Sequence, residues 1–292
     1  MVRRIKRKPV EELEHLVDSV LTPHNPPIAC VKPGEVVEIE TWSALTKVTN
    51  PVTGPVEIEG AEPGDTLSVE IVGIELPSEG KTAIIPGFGA LEGWLRLMER
   101  RMKACEIKDG VIFYQKDGGG SVEIEADPFI GTIGVSPEFE AINTLSPGRH
   151  GGNMDCPDVR PGNRLMLPVL RPGALFGLGD VHAVQGDGEV CGVAVEVDAV
   201  VTLKFDLEKG RKIDWPRVES SDEIMTIGSA RPLEDAARIA FREMVDWMAH
   251  DYGWDRLDAY MFLSLAARAR IAQIVDPLYT VVVKLHKRYL GR

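Results

Sequence analysis

The sequence predicts a mainly β protein of the α+β class: a sandwich or barrel of short strands with one helical hairpin near the C-terminus. Three observations predict it. A proline–glycine turn signal recurs, as Lys32-Pro33-Gly34-Glu35, Glu62-Pro63-Gly64-Asp65 and Arg160-Pro161-Gly162-Asn163. Each turn runs into a stretch with alternating apolar residues: VVEIET, TLSVEIVGIE and RLMLPVL. Clear helical periodicity comes late, after Pro232. Proline sets φ for a turn and glycine supplies the positive φ that follows. Alternation with period two turns one face of a strand toward a core. A run of strands followed by helices is the order of an α+β chain.

Residues 11–20 carry a short helical pattern, and from about residue 28 the texture is β. Residues 77–103 hold Gly87, Gly89 and Gly93 before WLRLMERRMK, which reads as a loop leading into a short helix or an amphipathic strand. SVEIEA at 121–126 alternates again. Residues 131–156 are rich in Gly, Pro and Ser with little periodicity, the texture of a functional loop between strands. Residues 193–206 read as a strand. After Pro232, the residues Ala236, Ile239, Ala240, Met244, Val245 and Met248 share one helical face. A second helix is expected over about 256–273, and 278–285 reads as a closing strand. The 292 residues fit one large domain, 1–292, or two packed β halves, about 28–130 and 131–292, with helices over about 232–273.

Asp and Glu number 45 against 33 Lys and Arg, a net charge of −12. Such a balance argues against nucleic acid and anionic membrane surfaces as partners. The basic run Arg3–Lys8 is read as a solvated terminal arm. No apolar run approaches the roughly 18 residues of a membrane span. None of signal-peptide length follows the basic start, so a cytoplasmic location is expected. Cys30, Cys105, Cys156 and Cys191 have no CxxC spacing and are expected to be free thiols.

Ligand-type side chains concentrate in two segments, His150-Gly-Gly-Asn153-Met-Asp155 and Gly177-Leu-Gly-Asp180-Val-His182-Ala-Val-Gln-Gly186-Asp187-Gly188-Glu189. Asp180 and His182 are two apart, so on a strand they point the same way. Gly186-Asp187-Gly188 predicts a hairpin turn. That turn would return Glu189 to the same face, diagonal to His182 at roughly 7–8 Å. The spacing suits a metal ligand and a general base that share one water. Asn153 and Asp155 share a face if extended, and Gly151 and Gly152 permit close backbone approach. Imidazole with carboxylates suits Zn²⁺ or a similar divalent ion. Each residue also has a plain structural reading: His150 as a surface loop residue, Asp187 as turn chemistry, Glu189 as a solvated edge. Cys156 adjoins Asp155 and reads either as a thiol nucleophile or as a small buried residue. Gly118-Gly119-Gly120 lacks the Lys-Ser/Thr of a phosphate loop.

Three stretches resemble the acetamidase/formamidase family: Asn50-Pro-Val-Thr-Gly-Pro-Val-Glu-Ile-Glu59-Gly-Ala-Glu62-Pro-Gly-Asp65, His150–Asp155, and Gly173–Glu189. Weaker similarity lies in Ile133-Gly-Val-Ser-Pro, Asp258-Ala-Tyr-Met-Phe-Leu-Ser-Leu and Gln273-Ile-Val-Asp-Pro277. The resemblance runs from about residue 28 to 286 in family order. It implies hydrolysis of formamide, acetamide or a related short amide to ammonia and the acid. It also implies a CUB-like sandwich with added helices, a bound divalent metal, and a homodimer or homotetramer. On this expectation Asp155, Asp180 and His182 hold Zn²⁺ (Ca²⁺ or another ion being the alternative), with His150 or Asn153 assisting. Glu189 is the general base, and Asn153 a donor to the oxyanion. The sequence departs from the family at Arg268, near where members often carry an acid, and across residues 80–105. Two other readings stay open: a small-ligand binding protein on the same scaffold, and a cysteine amidase using Cys156.

Overall fold

The three proline–glycine signals form turns of one design. Gly34, Gly64 and Gly162 take φ values of 85°, 95° and 86°. The fourth residue's amide donates to the first residue's carbonyl at 3.0 Å (Glu35 to Lys32, Asp65 to Glu62) or 3.1 Å (Asn163 to Arg160). The strands they launch, Val36–Thr41, Thr66–Glu75 and Arg164–Pro168, all enter one sheet. The computed structural model describes residues 2–95 and 99–291.

Among the described residues that sheet has nine strands, in the order Arg3–Ile5, Val36–Thr41, Ala199–Glu208, Thr66–Glu75, Arg164–Pro168, Arg217–Glu219, Glu223–Ala230, Tyr279–His286, Arg268–Gln273. A ten-stranded sheet lies against it. Its main path is Ser121–Glu125, Val111–Gln115, Arg101–Lys108, Glu79–Ile84, Glu196–Val197, Phe176–His182, Phe129–Gly134, Gly151–Asn153. Val52–Ile58 also pairs with Phe176–His182, and Ala29–Val31 with Val52–Ile58. The protein is therefore mostly β, as expected, and neither sheet closes into a barrel. Each sheet takes strands from both sides of residue 130, so a division into halves there is not how the sheets are built.

Alternation supplies the core. Val37, Ile39, Leu67, Val69, Ile71, Val201, Leu203 and Phe205 of the first sheet meet Val56, Ile58, Ile130, Phe176, Leu178 and Val181 of the second in one buried cluster. Full burial of a side chain of this size contributes roughly 1.5–3 kcal/mol. Phe176 and Phe205 touch edge to face with centroids 5.0 Å apart.

The first long helix, Leu233–Tyr252, follows Pro232 and ends at Gly253 in the left-handed region. It buries Ala236, Ala240, Met244, Val245 and Met248, with Ile239 half-buried, against Glu223–Ala230 and Tyr279–His286. The second helix, Arg256–Ala266, is capped by Asp255, whose side chain accepts from the amides of Leu257 and Asp258. It stops seven residues short of the expected end at 273. Arg268–Gln273 is instead an edge strand on Tyr279–His286. An open sheet edge overrides the helical preference of an Ala-Arg run.

Other expectations shift in the same way. Arg3–Ile5 is no free arm: it pairs in parallel with Val36–Thr41. Arg4 bonds Glu38, and Arg7 stacks 3.4 Å over Trp42. The helical pattern of 11–20 yields only a 3-10 turn, Val10–Glu12, and one helical turn, His15–Asp18. The strand read over 193–206 breaks at Asp198, where the chain passes from Glu196–Val197 in one sheet to Ala199–Glu208 in the other. Of the segment WLRLMERRMK, Arg101–Lys108 begins a strand and residues 96–98 lie outside the described residues. Among the described residues, no helix is long and apolar enough to cross a membrane.

Candidate active site

Phe176–His182 lies within the second sheet, paired with Phe129–Gly134, Val52–Ile58 and Glu196–Val197. Its end carries Asp180 and His182, both buried. The expected hairpin after His182 does not form. The antiparallel partner of His182 is Glu196, and residues 183–195 make a long excursion between them. Gly188 is captured by the other sheet: its amide donates to the carbonyls of Ile271 and Ala272, and its carbonyl accepts from Ile274. Those backbone bonds, with an Asp187–Arg270 ion pair at 2.8 Å, turn Glu189 inward. Glu189 thus reaches His182 by a route that turn chemistry does not encode.

The side chains converge tightly. Nε2 of His182 lies 3.1 Å from Asp180 Oδ1 and 3.2 Å from Glu196 Oε1. Its Nδ1 lies 2.9 Å from Gln185 Oε1. Gln185 Nε2 donates to the carbonyls of Asp155 and Ala272, both at 3.1 Å, which fixes that amide with its oxygen toward the imidazole. The proton of a neutral His182 therefore belongs on Nδ1, leaving the Nε2 lone pair facing the acids. Asn153 Nδ2 donates to Asp155 Oδ2 at 3.1 Å and to Asp276 Oδ2 at 2.8 Å. Asp155, Asp180 and Glu189 all take positive φ, at 43°, 56° and 45°. Such backbone strain, on the order of 1–3 kcal/mol a residue, concentrates where function requires a fixed side chain.

Crowding of buried acids sets the electrostatics. Burial, then Asp276 and Asp180, push the Asp155 carboxyl well above the usual range. Burial, then Asp155, do the same to Glu189, and burial, then Glu189, to Asp276. Burial raises Glu196 to about 7. Burial disfavours the His182 imidazolium, but Glu196 and Asp180 outweigh it and raise His182 well above its ordinary value.

This donor set fits a divalent cation. Ligand atoms of Asp155, Asp180 and His182 lie within 4.8 Å of one another, as do those of His182, Glu189 and Glu196. Asp155 Oδ1, Glu196 Oε2 and Asp276 Oδ1 are buried without a hydrogen-bond partner among the described residues. Gly131 stands opposite Asp180 in the register, and a Cβ there would lie 2.6 Å from Asp155 Oδ1 and 2.7 Å from Asp180 Oδ2. The missing side chain leaves an opening between the two carboxylates. One imidazole with carboxylates is a donor set for Zn²⁺ or a similar ion.

Asp155, Asp180, His182 and Glu189 are thus brought together. His150 is not: it is buried, but its ring lies against Gly148 and Gly152 and joins neither group of ligand atoms. Asn153 is present, but both its N–H bonds go to carboxylates, so it secures acids and offers no free donor to an oxyanion. Cys156 is fully buried, its thiol pushed up to about 12 by burial and then Asp158. Its recorded partner is Asp158 at 3.9 Å, an acid and not a base-forming imidazole, so the cysteine-nucleophile reading does not fit. Arg268 is exposed and pairs with Glu223, away from the acids. Sequence reasoning missed Glu196, Asp276 and Gln185. The first two did leave a signal: each is a lone acid inside an apolar run, VAVEV and IVDPL.

A closed set of acids around one imidazole is suited to holding a divalent cation and moving protons. A family model described as the acetamidase/formamidase family matches residues 138–286, and the chain belongs to that family. Its fold is similar to the crystal structure of an acetamidase from Yersinia enterocolitica, with a TM-score of 0.90 and 36% identity over 100% of this chain and 94% of that one. An acetamidase from Bacillus halodurans gives 0.89 and 34%, over 99% of this chain and 100% of that one. A putative formamidase from Schizosaccharomyces pombe is 29% identical over 214 residues, 54% of this chain and 52% of that protein. The chain spans about half the length of that relative, and at most 63% of the other curated relatives it matches.

Proposed function

We propose that this protein hydrolyses a short linear amide of the formamide or acetamide class to ammonia and the carboxylate, with a divalent ion, Zn²⁺ by donor type, held by Asp155, Asp180 and His182. The observation that carries this reading is their convergence within 4.8 Å beside Gly131. The names of the similar proteins, acetamidases and a putative formamidase, support the substrate class. A bound ion would supply a Lewis acid that polarises a carbonyl and lowers the pKa of water.

The chain's own residues do the rest. Gln185 keeps His182 turned so that Nε2 faces inward. The Glu189 carboxylate takes a proton from the attacking water and returns it to the departing nitrogen. Transfer of this kind is worth typically about 10²–10⁴-fold in rate. Burial and then Asp155 raise Glu189 above the usual carboxyl range, which makes its carboxylate a stronger proton acceptor. Asp276 Oδ1, buried and unpartnered among the described residues, is a second place for a proton. All four thiols are free, which agrees with a cytoplasmic location. A homodimer or homotetramer belongs to the same reading, and light scattering checks it.

The test is ammonia release from a panel of short amides, with and without chelator. Release from formamide or acetamide should stop on chelation and return with Zn²⁺. Release indifferent to chelator removes the ion from the reaction. Ion uptake with no amide turned over favours the small-ligand binding reading instead.

A further inference from the structure

We propose that Asn50 is a positioning residue of this site: its single buried amide, with the Thr132 hydroxyl, sets the orientation of Asn153, and through Asn153 it aims the acids of two separate segments, Asp155 and Asp276. The premise is geometric, and the consequence for activity rests on the function proposed above.

Asn50 is fully buried in the bend before Pro51, with φ at 52°, a conformation asparagine tolerates. Its backbone is fixed on both sides. The amide donates to Ala44 O at 3.2 Å, and the carbonyl accepts from Thr144 Oγ1 at 2.6 Å. Asn50 Nδ2 donates to Thr132 Oγ1 and to Asn153 Oδ1, each at 3.0 Å. The Thr132 hydroxyl lies against Asn153 Oδ1, 3.3 Å from Asn50 Oδ1 and 3.4 Å from Asp180 Oδ2, and gives its one hydrogen to the nearest of them, Asn153 Oδ1.

An asparagine amide has two orientations of nearly equal shape, and only its hydrogen bonds choose between them. Here Asn50 and Thr132 both direct hydrogens at one end of Asn153. That end must be oxygen, so Nδ2 must face Asp155 and Asp276. Reversal would set Nδ2 of Asn153 against Nδ2 of Asn50, and its oxygen against two carboxylates. Buried mispaired groups of this kind are strongly disfavoured. Asn50 donates to no acid, yet through Asn153 it decides where Asp155 and Asp276 are held.

Asn50→Asp keeps size and shape but exchanges the two N–H donors for an acceptor. The variant should fold, with Asn153 reversed and with Asp155 and Asp276 released. Its Zn²⁺ affinity, measured by competition with a chromophoric chelator, should fall about 10–100-fold. The kcat on a short amide should fall similarly with KM unchanged. A merely structural role would lower the melting temperature and leave Zn²⁺ affinity and kcat of the folded protein intact, and that result overturns the proposal. So does a crystal structure of the variant with Asn153 still bonded to both acids. If the wild type takes up no Zn²⁺, the ion of the proposed function falls, while that crystal structure still decides this point. If Asn50→Asp does not fold, Thr132→Val removes one arm only. Its Zn²⁺ affinity should shift in the same direction, and no shift overturns the proposal.

Discussion

Glu189 follows Gly186-Asp187-Gly188, where a solvated turn acid would be expected, yet it is 7% exposed and raised well above the usual carboxyl range. Glu189→Gln keeps the shape and removes the titration. Ion uptake should stay near wild type while ammonia release falls by about 10²–10⁴-fold; unchanged release would take Glu189 out of the reaction. His150 makes a contrasting case. It is buried as the neutral imidazole, its pKa lowered to about 4 by burial, against an ordinary 6.5. Between these values the unfolded chain binds a proton that the folded protein does not, so stability rises with pH. His150's contribution is full above about pH 6.5, declines as pH falls, and is lost below about pH 4, by on the order of 3 kcal/mol in all. Urea melts at pH 7 and pH 4.5 should show His150→Asn losing less stability over that interval than wild type. Asp155, Asp180 and His182 were legible because two-residue spacing survives folding. Glu196 and Asp276 showed only as lone acids in apolar runs; their place in the site was not legible, because pairing and packing of the sheets, not local spacing, bring His182 to the one and Asn153 to the other.

At the scale of elements, short-range chemistry was legible and long-range capture was not. The three proline–glycine turns and the helix after Pro232 follow from local rules, and they folded as those rules state. The hairpin at 186–188 and the helix to 273 failed for one shared reason: Arg268–Gln273 is drawn to Tyr279–His286, and the loop at Gly188 is drawn to Arg268–Gln273. Local propensity carries no information about such an edge. Helix placement gives a sharp prediction. Leu233–Tyr252 crosses Glu223–Ala230 at Gly228, where a Cβ would lie 2.7 Å from Ala240 N and closer still to Ala236 O. Backbone cannot yield there as a flexible side chain would. Gly228→Ala should destabilise by about 3 kcal/mol, measured by guanidinium denaturation, whereas a loss below about 0.5 kcal/mol, the range of a neutral surface change, would mean the helix moves freely over the strand.

Across the whole molecule, the site is a joint between the two sheets. Asp180, His182, Glu196 and Asn153 lie on strands of the ten-stranded sheet. Asp276 follows the edge strand of the nine-stranded one, to which Gly188 is bonded. An ion seated among Asp155, Asp180 and His182 would draw its ligands from the ten-stranded sheet and the chain just after its strand Gly151–Asn153, so its binding would oppose the unfolding of that sheet. At 100 times its dissociation constant such an ion adds about 2.7 kcal/mol. Without it, acids crowd one another in a chain already at −12. Asp155→Asn removes one of those repulsions and one ligand together. In chelator its stability should equal or exceed that of wild type, because a buried carboxylate among like charges is a liability. With Zn²⁺ the wild type should gain and the variant should not. Guanidinium melts of both proteins, each with Zn²⁺ and with chelator at pH 7, test both signs at once. A wild-type midpoint that ignores Zn²⁺ would mean that the acids are there to exchange protons and not to hold an ion.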